Sequence, residues 1–311
     1  MTITQLEYII AVDTYRNFSV AAEKCFVTQP TLSMQLQKLE DELQVKIFDR
    51  SKQPVIPTET GEEVIRQARV ILHEVKLMHQ NIKDKRGLLE GELKIGIIPT
   101  LAPYLLPLFL QSFLNKYPDI TIKVKEMTTE LLVDKLKSGR IDAGLLVTPL
   151  QDNSIIEYPL FYEELVAYVS KSNAAFKKTY VLADDIDLKD LWLLEEGHCF
   201  RSQIISLCEL KKQSNVQSHF EYEAGSVETL RKMVEMNKGV TILPELATMD
   251  FSVKQQNMIR HFKPPAPVRE VSLVTHRNYV KKKLIDVLKE EVLNSLPKKI
   301  TLNKNSNIIK L

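Results

Sequence analysis

Apolar residues recur at helical spacing from the start of the chain. Ile3, Leu6, Ile9, Ile10 and Val12 outline an amphipathic helix. Ser19 is placed to cap a second, short helix through Val20, Ala21 and Ala22, with Phe26 and Val27 filling the turn after it. A third follows in TQPTLSMQLQKLEDEL. Thr28 suits an N-cap, Pro30 is tolerated in a first turn, and Leu32, Leu36, Leu39 and Leu43 share one narrow face. The opposite face carries Pro30, Thr31, Ser33, Met34, Gln37 and Lys38, small and polar toward its N-terminal end, while Asp41 and the glutamates lie toward the other. A helix inserted into a major groove needs such a face, where hydroxyls and amides reach base edges. Residues 45–58 (VKIFDRSKQPVIPT) then read as two short extended runs around a polar turn, with Arg50 and Lys52 at its tip to meet phosphate. Together these elements predict a winged helix-turn-helix, against the plainer reading of a helical subdomain with a solvated face.

From about residue 58 to 85 the pattern becomes one long helix. Ile65, Ala68, Leu72, Val75, His79 and Ile82 alternate spacings of three and four, the seam of a two-stranded coiled coil, which predicts a dimer. Thr60 to Glu63 has the form of a capping box, and His79 is read as a polar seam residue that fixes register. A hinge follows at 83–87, and the periodicity changes. Strands at 93–97, 120–125 and 141–147 alternate with helices at 102–117 and 131–138. The same alternation returns in strands at 165–170, 192–195, 219–223 and 240–243 and a helix at 227–237, then in a strand at 271–275 and a helix at 279–294. This is an α/β pattern with a parallel sheet, folded as two subdomains around a cleft. The expected domains are 1–58 (DNA binding), 59–87 (linker and dimerisation helix), 88–297 (regulatory) and 298–311 (a mobile basic tail).

Composition narrows the function. At 44% hydrophobic residues the 311-residue chain has material for real cores, and its formal charge of +2 means that any nucleic-acid contact comes from a local patch. No apolar run approaches the roughly 20 residues of a membrane span, so no membrane partner is expected. Three cysteines fit a reducing cytoplasm. Cys25 reads as structural packing. Cys199 and Cys208 lie in GHCFRSQIISLC, and two readings stay open on spacing alone. They are ordinary buried thiols, or they meet when the helix between them unravels. No CxxC pair or metal-ligand helix is present, so no metal or cofactor is expected.

The stretch LEYIIAVDTYRNFSVAAEKCFVTQPTLSMQLQKLEDELQVKIFDR closely resembles the DNA-binding domain of the LysR-type bacterial transcriptional regulators, with the AAE, QPTLS, LE-EL and F-R elements in register. The resemblance implies a double-stranded operator as partner, Gln29, Thr31, Ser33 and Gln37 toward the groove, and Arg50 with Lys52 as the wing. It also implies that the linker helix pairs two chains and that the regulatory domain is similar in fold to periplasmic binding proteins. Most members of that family bind a small organic anion in the cleft, which is the main competing reading.

LLEEGHCFRSQIISLC resembles the corresponding segment of the peroxide-responsive OxyR subfamily, as do GIIPTLAPYLLP, EMTTELL, GSVETLRKMVEMNKGVTILP and KPPAPVRE. It departs from the subfamily pattern at Met34. The resemblance implies that hydrogen peroxide oxidises Cys199 and that Cys208 resolves the product to a disulfide, which a reducing thiol system reverses. It further implies Thr100, Thr129, His198 and Arg269 around the peroxide, with Arg201 nearby and Asp142 as another support residue, for which a buried structural role is the equal alternative. A homotetramer and contact with RNA polymerase follow in the same way. A thiol peroxidase, or a zinc hydrolase using His198, Cys199 and Cys208, would have no need of the DNA-binding module.

Overall fold

The structure, a computed structural model, describes residues 1–85, 89–187, 190–194, 199–207, 225–236, 238–277, 279, 282–300 and 307–308. The chain divides into two compact units, one of residues 1–88 with 137–140 and the other of residues 89–136 with 141–311.

The first unit opens with α1 (Ile3–Tyr15), α2 (Phe18–Lys24) and α3 (Gln29–Leu43). Thr2 and Gln5 form a capping box at α1, and Thr28 caps α3 by accepting from the Thr31 N–H. The cap of α2 is Asn17 and not Ser19, because Asn17 Oδ1 accepts from the Ser19 and Val20 N–H groups at 2.9 and 3.0 Å. Leu6, Ile9, Val12, Ala21, Ala22, Leu32, Leu36, Leu39 and Ile47 form the core. Leu43 lies outside it, 37% exposed. Phe26 does not fill the turn: it takes the left-handed conformation (φ 56°) and is 96% exposed, while Cys25 and Val27 pack beneath.

Strands β1 (Phe48–Asp49) and β2 (Ile56–Pro57) pair antiparallel as a wing, and α4 (Glu59–Lys85) follows. Its cap is Thr58, two residues ahead of the expected Thr60–Glu63 box; Thr58 Oγ1 accepts from the Gly61 N–H at 2.9 Å and donates to the Lys46 carbonyl at 2.6 Å. A Cβ at Gly61 would stand 2.0 Å from the Ile47 carbonyl oxygen, so only glycine lets the helix come this close to the wing. The first two seam positions, Ile65 and Ala68, are 4% and 2% exposed in the core of their own unit, where α1 packs on α4. Leu72 and Val75 are half-buried, and the side chains of His79 and Ile82 lie outside the described residues.

The second unit begins β3 (Gly91–Ile97), α5 (Ala102–Lys116), β4 (Ile120–Glu126), α6 (Thr129–Lys137) and β5 (Ala143–Thr148), with β4, β3 and β5 parallel. Strand β6 (Ile155–Val169) is one 15-residue crossing strand, longer than the expected 165–170. Pro159 interrupts its pattern in the sequence; in the sheet the register against β10 shifts at that point, so the missing N–H is absorbed by a bulge. Next come β7 (Tyr180–Val181), α7 (Cys199–Leu207), α8 (Val227–Met236), β8 (Val240–Pro244), α9 (Val253–Gln256) and β9 (Ile259–Phe262). Strand β10 (Pro267–His276) returns to lie antiparallel between β5 and β6, followed by α10 (Lys282–Asn294) and β11 (Asn307–Ile308).

The sheet order is β4-β3-β5-β10-β6-β9-β7, with β8 on β6 and β11 on β10. Two buried clusters fill it, one around Leu105, Phe109, Phe113, Leu145 and Leu288, the other around Tyr168, Phe200, Leu230 and Ile242. The expected strand at 192–195 is only a bridge from Leu191 to Val240, with Glu195 outside the described residues, as is the expected strand at 219–223. Within the expected tail, Ile300 is buried, and Asn307–Ile308 pair with Pro267–Val268.

Candidate functional site

In the first unit, Gln29, Pro30, Thr31 and Lys38 are exposed along α3, with Ser33 and Gln37 half-buried beside them. An open groove runs past Arg16, Asn17, Gln29, Ser33, Arg50 and Lys52. Arg50 is not a free arm at the wing tip. Its guanidinium donates to Ser33 Oγ and to Glu40 Oε2, both at 3.1 Å, and stacks over Phe18 at 5.0 Å. Glu40, 2% exposed, also accepts from the Ile47 N–H at 2.8 Å and the Phe48 N–H at 3.4 Å. It therefore clamps the wing onto the recognition helix. Sequence reading placed it among acids kept clear of phosphate; its position between Leu39 and the wing was the missed signal.

In the second unit the buried centre is Arg269, on β10 and 0% exposed. Its Nε donates to Glu163 Oε1 at 2.5 Å, with Nη2 also on that oxygen; Nη1 donates to Thr100 Oγ1 at 3.1 Å and Nη2 to the Thr100 carbonyl at 3.3 Å. The Phe200 ring centroid lies 5.2 Å from the guanidinium carbon, so the first turn of α7, which Cys199 opens, packs against this group. Burial pushes the Glu163 carboxyl up, and Arg269 opposes that shift. Glu163 was missed, although a charge within the apolar run YEELVAYV was the available sign.

Thr100 and Thr129 sit at one edge of the sheet. Ile97 and Glu126 are in register at the C-terminal ends of parallel strands β3 and β4, and each threonine lies three residues further on. Ligands bind at that edge of open α/β sheets. Thr129 Oγ1 is buried without a hydrogen-bond partner among the described residues. Arg201 Nη1 donates to the Leu194 carbonyl at 2.7 Å and so anchors α7. Asp142 is at the other end of the strands: its Oδ2 accepts from the Lys94 N–H and its own N–H donates to the Lys94 carbonyl, both at 2.8 Å. It clips β5 to β3 and is not brought to Arg269. His198 and Cys208 lie outside the described residues, as does the side chain of Cys199.

A winged helix-turn-helix followed by a long helix and an α/β domain with a polar centre at its strand ends defines a DNA-binding regulator. Residues 3–62 match the bacterial regulatory helix-turn-helix protein, lysR family, and residues 86–297 match the LysR substrate binding domain. The chain is 35% identical over 274 residues to a Haemophilus influenzae protein named hydrogen peroxide-inducible genes activator, covering 88% of this chain and 90% of that one. It is also 35% identical to the Escherichia coli K12 DNA-binding transcriptional dual regulator OxyR, over 88% and 89% of the two chains. A full-length OxyR variant from Pseudomonas aeruginosa superposes with a TM-score of 0.77 at 33% identity, covering 94% of this chain and 98% of that one. The chain belongs to the LysR family of transcriptional regulators and, within it, resembles the OxyR proteins. It is a transcription factor and not an enzyme. No described helix is long and apolar enough to cross a membrane.

Proposed function

We propose that this protein senses hydrogen peroxide through Cys199 and Cys208 and converts their oxidation into altered binding of a double-stranded operator in the cytoplasm. The observation that carries the reading is the packing of Phe200, next to Cys199, on a buried arginine that also holds Thr100. Cys199 begins α7, and a helix N-terminus favours thiolate. The thiolate attacks one peroxide oxygen, the O–O bond breaks, hydroxide leaves and Cys199 becomes a sulfenic acid. The Cys208 thiol then displaces that hydroxyl as water, forming the disulfide, and a reducing thiol system restores both thiols by exchange. Thr100 and the unpartnered Thr129 hydroxyl suit the two peroxide oxygens, with His198 and Arg269 supporting the charge that develops.

Glu163 already neutralises Arg269, so this pair offers an organic carboxylate no net positive charge, which favours an uncharged ligand such as peroxide. The DNA-binding domain at 1–58, the helix at 59–87 that pairs two chains, and a homotetramer contacting RNA polymerase complete the reading.

The test is mass spectrometry of thiol-trapped peptides after a brief dose of about one equivalent of peroxide, with Cys199→Ser as control. A rapid bridge from Cys199 to Cys208, absent in the control, is expected. Thiols that stay reduced in protein still competent for DNA would turn the search to small anions.

A further inference from the structure

The DNA-facing side of α3 carries an apolar group that its surroundings leave unused. Met34 lies two residues after Leu32 and two before Leu36, about half a turn round the helix from the buried stripe, since each residue advances about 100°. It is 62% exposed, and Pro30, Thr31 and Lys38 around it are exposed as well. The polar residues best placed to read bases are partly occupied within the domain. Ser33 Oγ accepts from Arg50, and Gln37 Nε2 donates to Asp41 Oδ1 at 2.7 Å while its Oε1 accepts from Lys46 at 3.4 Å. Each keeps some hydrogen-bonding capacity for DNA, but its side chain is already tied to a neighbour within the domain. Met34 gives up nothing but contact with water.

Base edges in the major groove are polar except at one point, the C5-methyl of thymine. A thioether side chain is unbranched and polarizable, and it adapts its shape to a small apolar partner. We propose that Met34 reads a thymine methyl in each half-site, which makes it a specificity-determining residue for operator choice. The proposal rests on the DNA-binding role of the family and is independent of the redox chemistry.

Deoxyuridine isolates the contact, because it pairs as thymidine does and lacks only the methyl. The full chain is used to select duplexes from a pool with a randomised core, in parallel with Met34→Ala. The wild type is expected to prefer thymine at symmetry-related positions where Met34→Ala shows no preference. Replacing that thymine by deoxyuridine is expected to weaken wild-type binding about fourfold per half-site, the worth of one buried methyl-sized group, and to leave Met34→Ala unchanged. Met34→Leu, apolar and of similar size, should keep the discrimination and guards against an alanine variant that binds nothing. Equal wild-type binding of thymine and uracil duplexes at every selected position overturns the proposal. So does the same thymine preference in Met34→Ala, which would assign the effect to duplex deformability or to another side chain.

Discussion

Arg269→Met tests whether the second unit is built around its buried ion pair. The change removes a guanidinium that makes hydrogen bonds to Glu163 and to both oxygens of Thr100 at 0% exposure. Glu163, also 0% exposed, keeps only the Leu246 N–H, at 3.4 Å, among the described residues. Breaking a buried pair from one side costs about 3–5 kcal/mol, whereas replacing both partners by apolar groups is close to neutral. Arg269→Met should therefore lose about 3–5 kcal/mol near pH 7, and Arg269→Met with Glu163→Leu should recover most of it. A residue of about 1–2 kcal/mol should remain from the unpartnered Thr100 groups.

The pH dependence has a definite sign. Burial raises the Glu163 carboxyl in the folded state, and without Arg269 the Leu246 N–H is left as the opposing group. A raised folded pKa makes its contribution most favourable at low pH, and that contribution is lost as pH rises through the folded value. The deficit of Arg269→Met should thus shrink from neutral pH toward pH about 5. Urea unfolding of the full chain serves as the assay, followed by fluorescence of Trp192, the only tryptophan, which packs beside the second cluster. A single-variant cost below about 1 kcal/mol, or a double variant no more stable than the single, would falsify the ion-pair account.

Glu40→Ala should unclamp the wing and cost the first unit about 2–3 kcal/mol, since a buried charged acceptor for two backbone N–H groups and Arg50 is lost; thermal melts read the loss. Glu291 is held below the usual carboxylate range by Ser112 at 2.5 Å and by Lys116 at 3.2 Å, so its stabilisation is present above the unfolded value near 4.3 and fades as pH falls through the folded one. Glu291→Gln should flatten the acid limb of a stability–pH curve, and an unchanged limb would reject the assignment. Val75→Asp should weaken self-association by at least tenfold in sedimentation experiments while leaving the melt of the first unit within about 1 kcal/mol, because Val75 is half-buried and lies beyond the core that Ile65, Ala68 and Leu72 join.

The local sequence determined the helices and their faces. Thr28 with Pro30 starts α3, and the leucines at 32, 36 and 39 bury because helical spacing alone puts them together. The parallel strands were readable for the same reason, as apolar runs punctuated by helices. Caps were less secure where two candidates stood close, and Asn17 and Thr58 won over Ser19 and Thr60 through the precise path of the chain. What only tertiary structure decided depends on residues far apart. Arg269 meets Glu163 across 106 positions and Thr100 across 169, and no window of sequence contains such a pair. The fates of Ile65 and Ala68 were decided by whether α1 or a second chain reached that stripe first, since apolar periodicity states that a face is buried and not against what. Asp142 shows the converse: of its two readings, site support and a buried structural role, its two backbone hydrogen bonds to Lys94 at the far end of the strands favour the structural one.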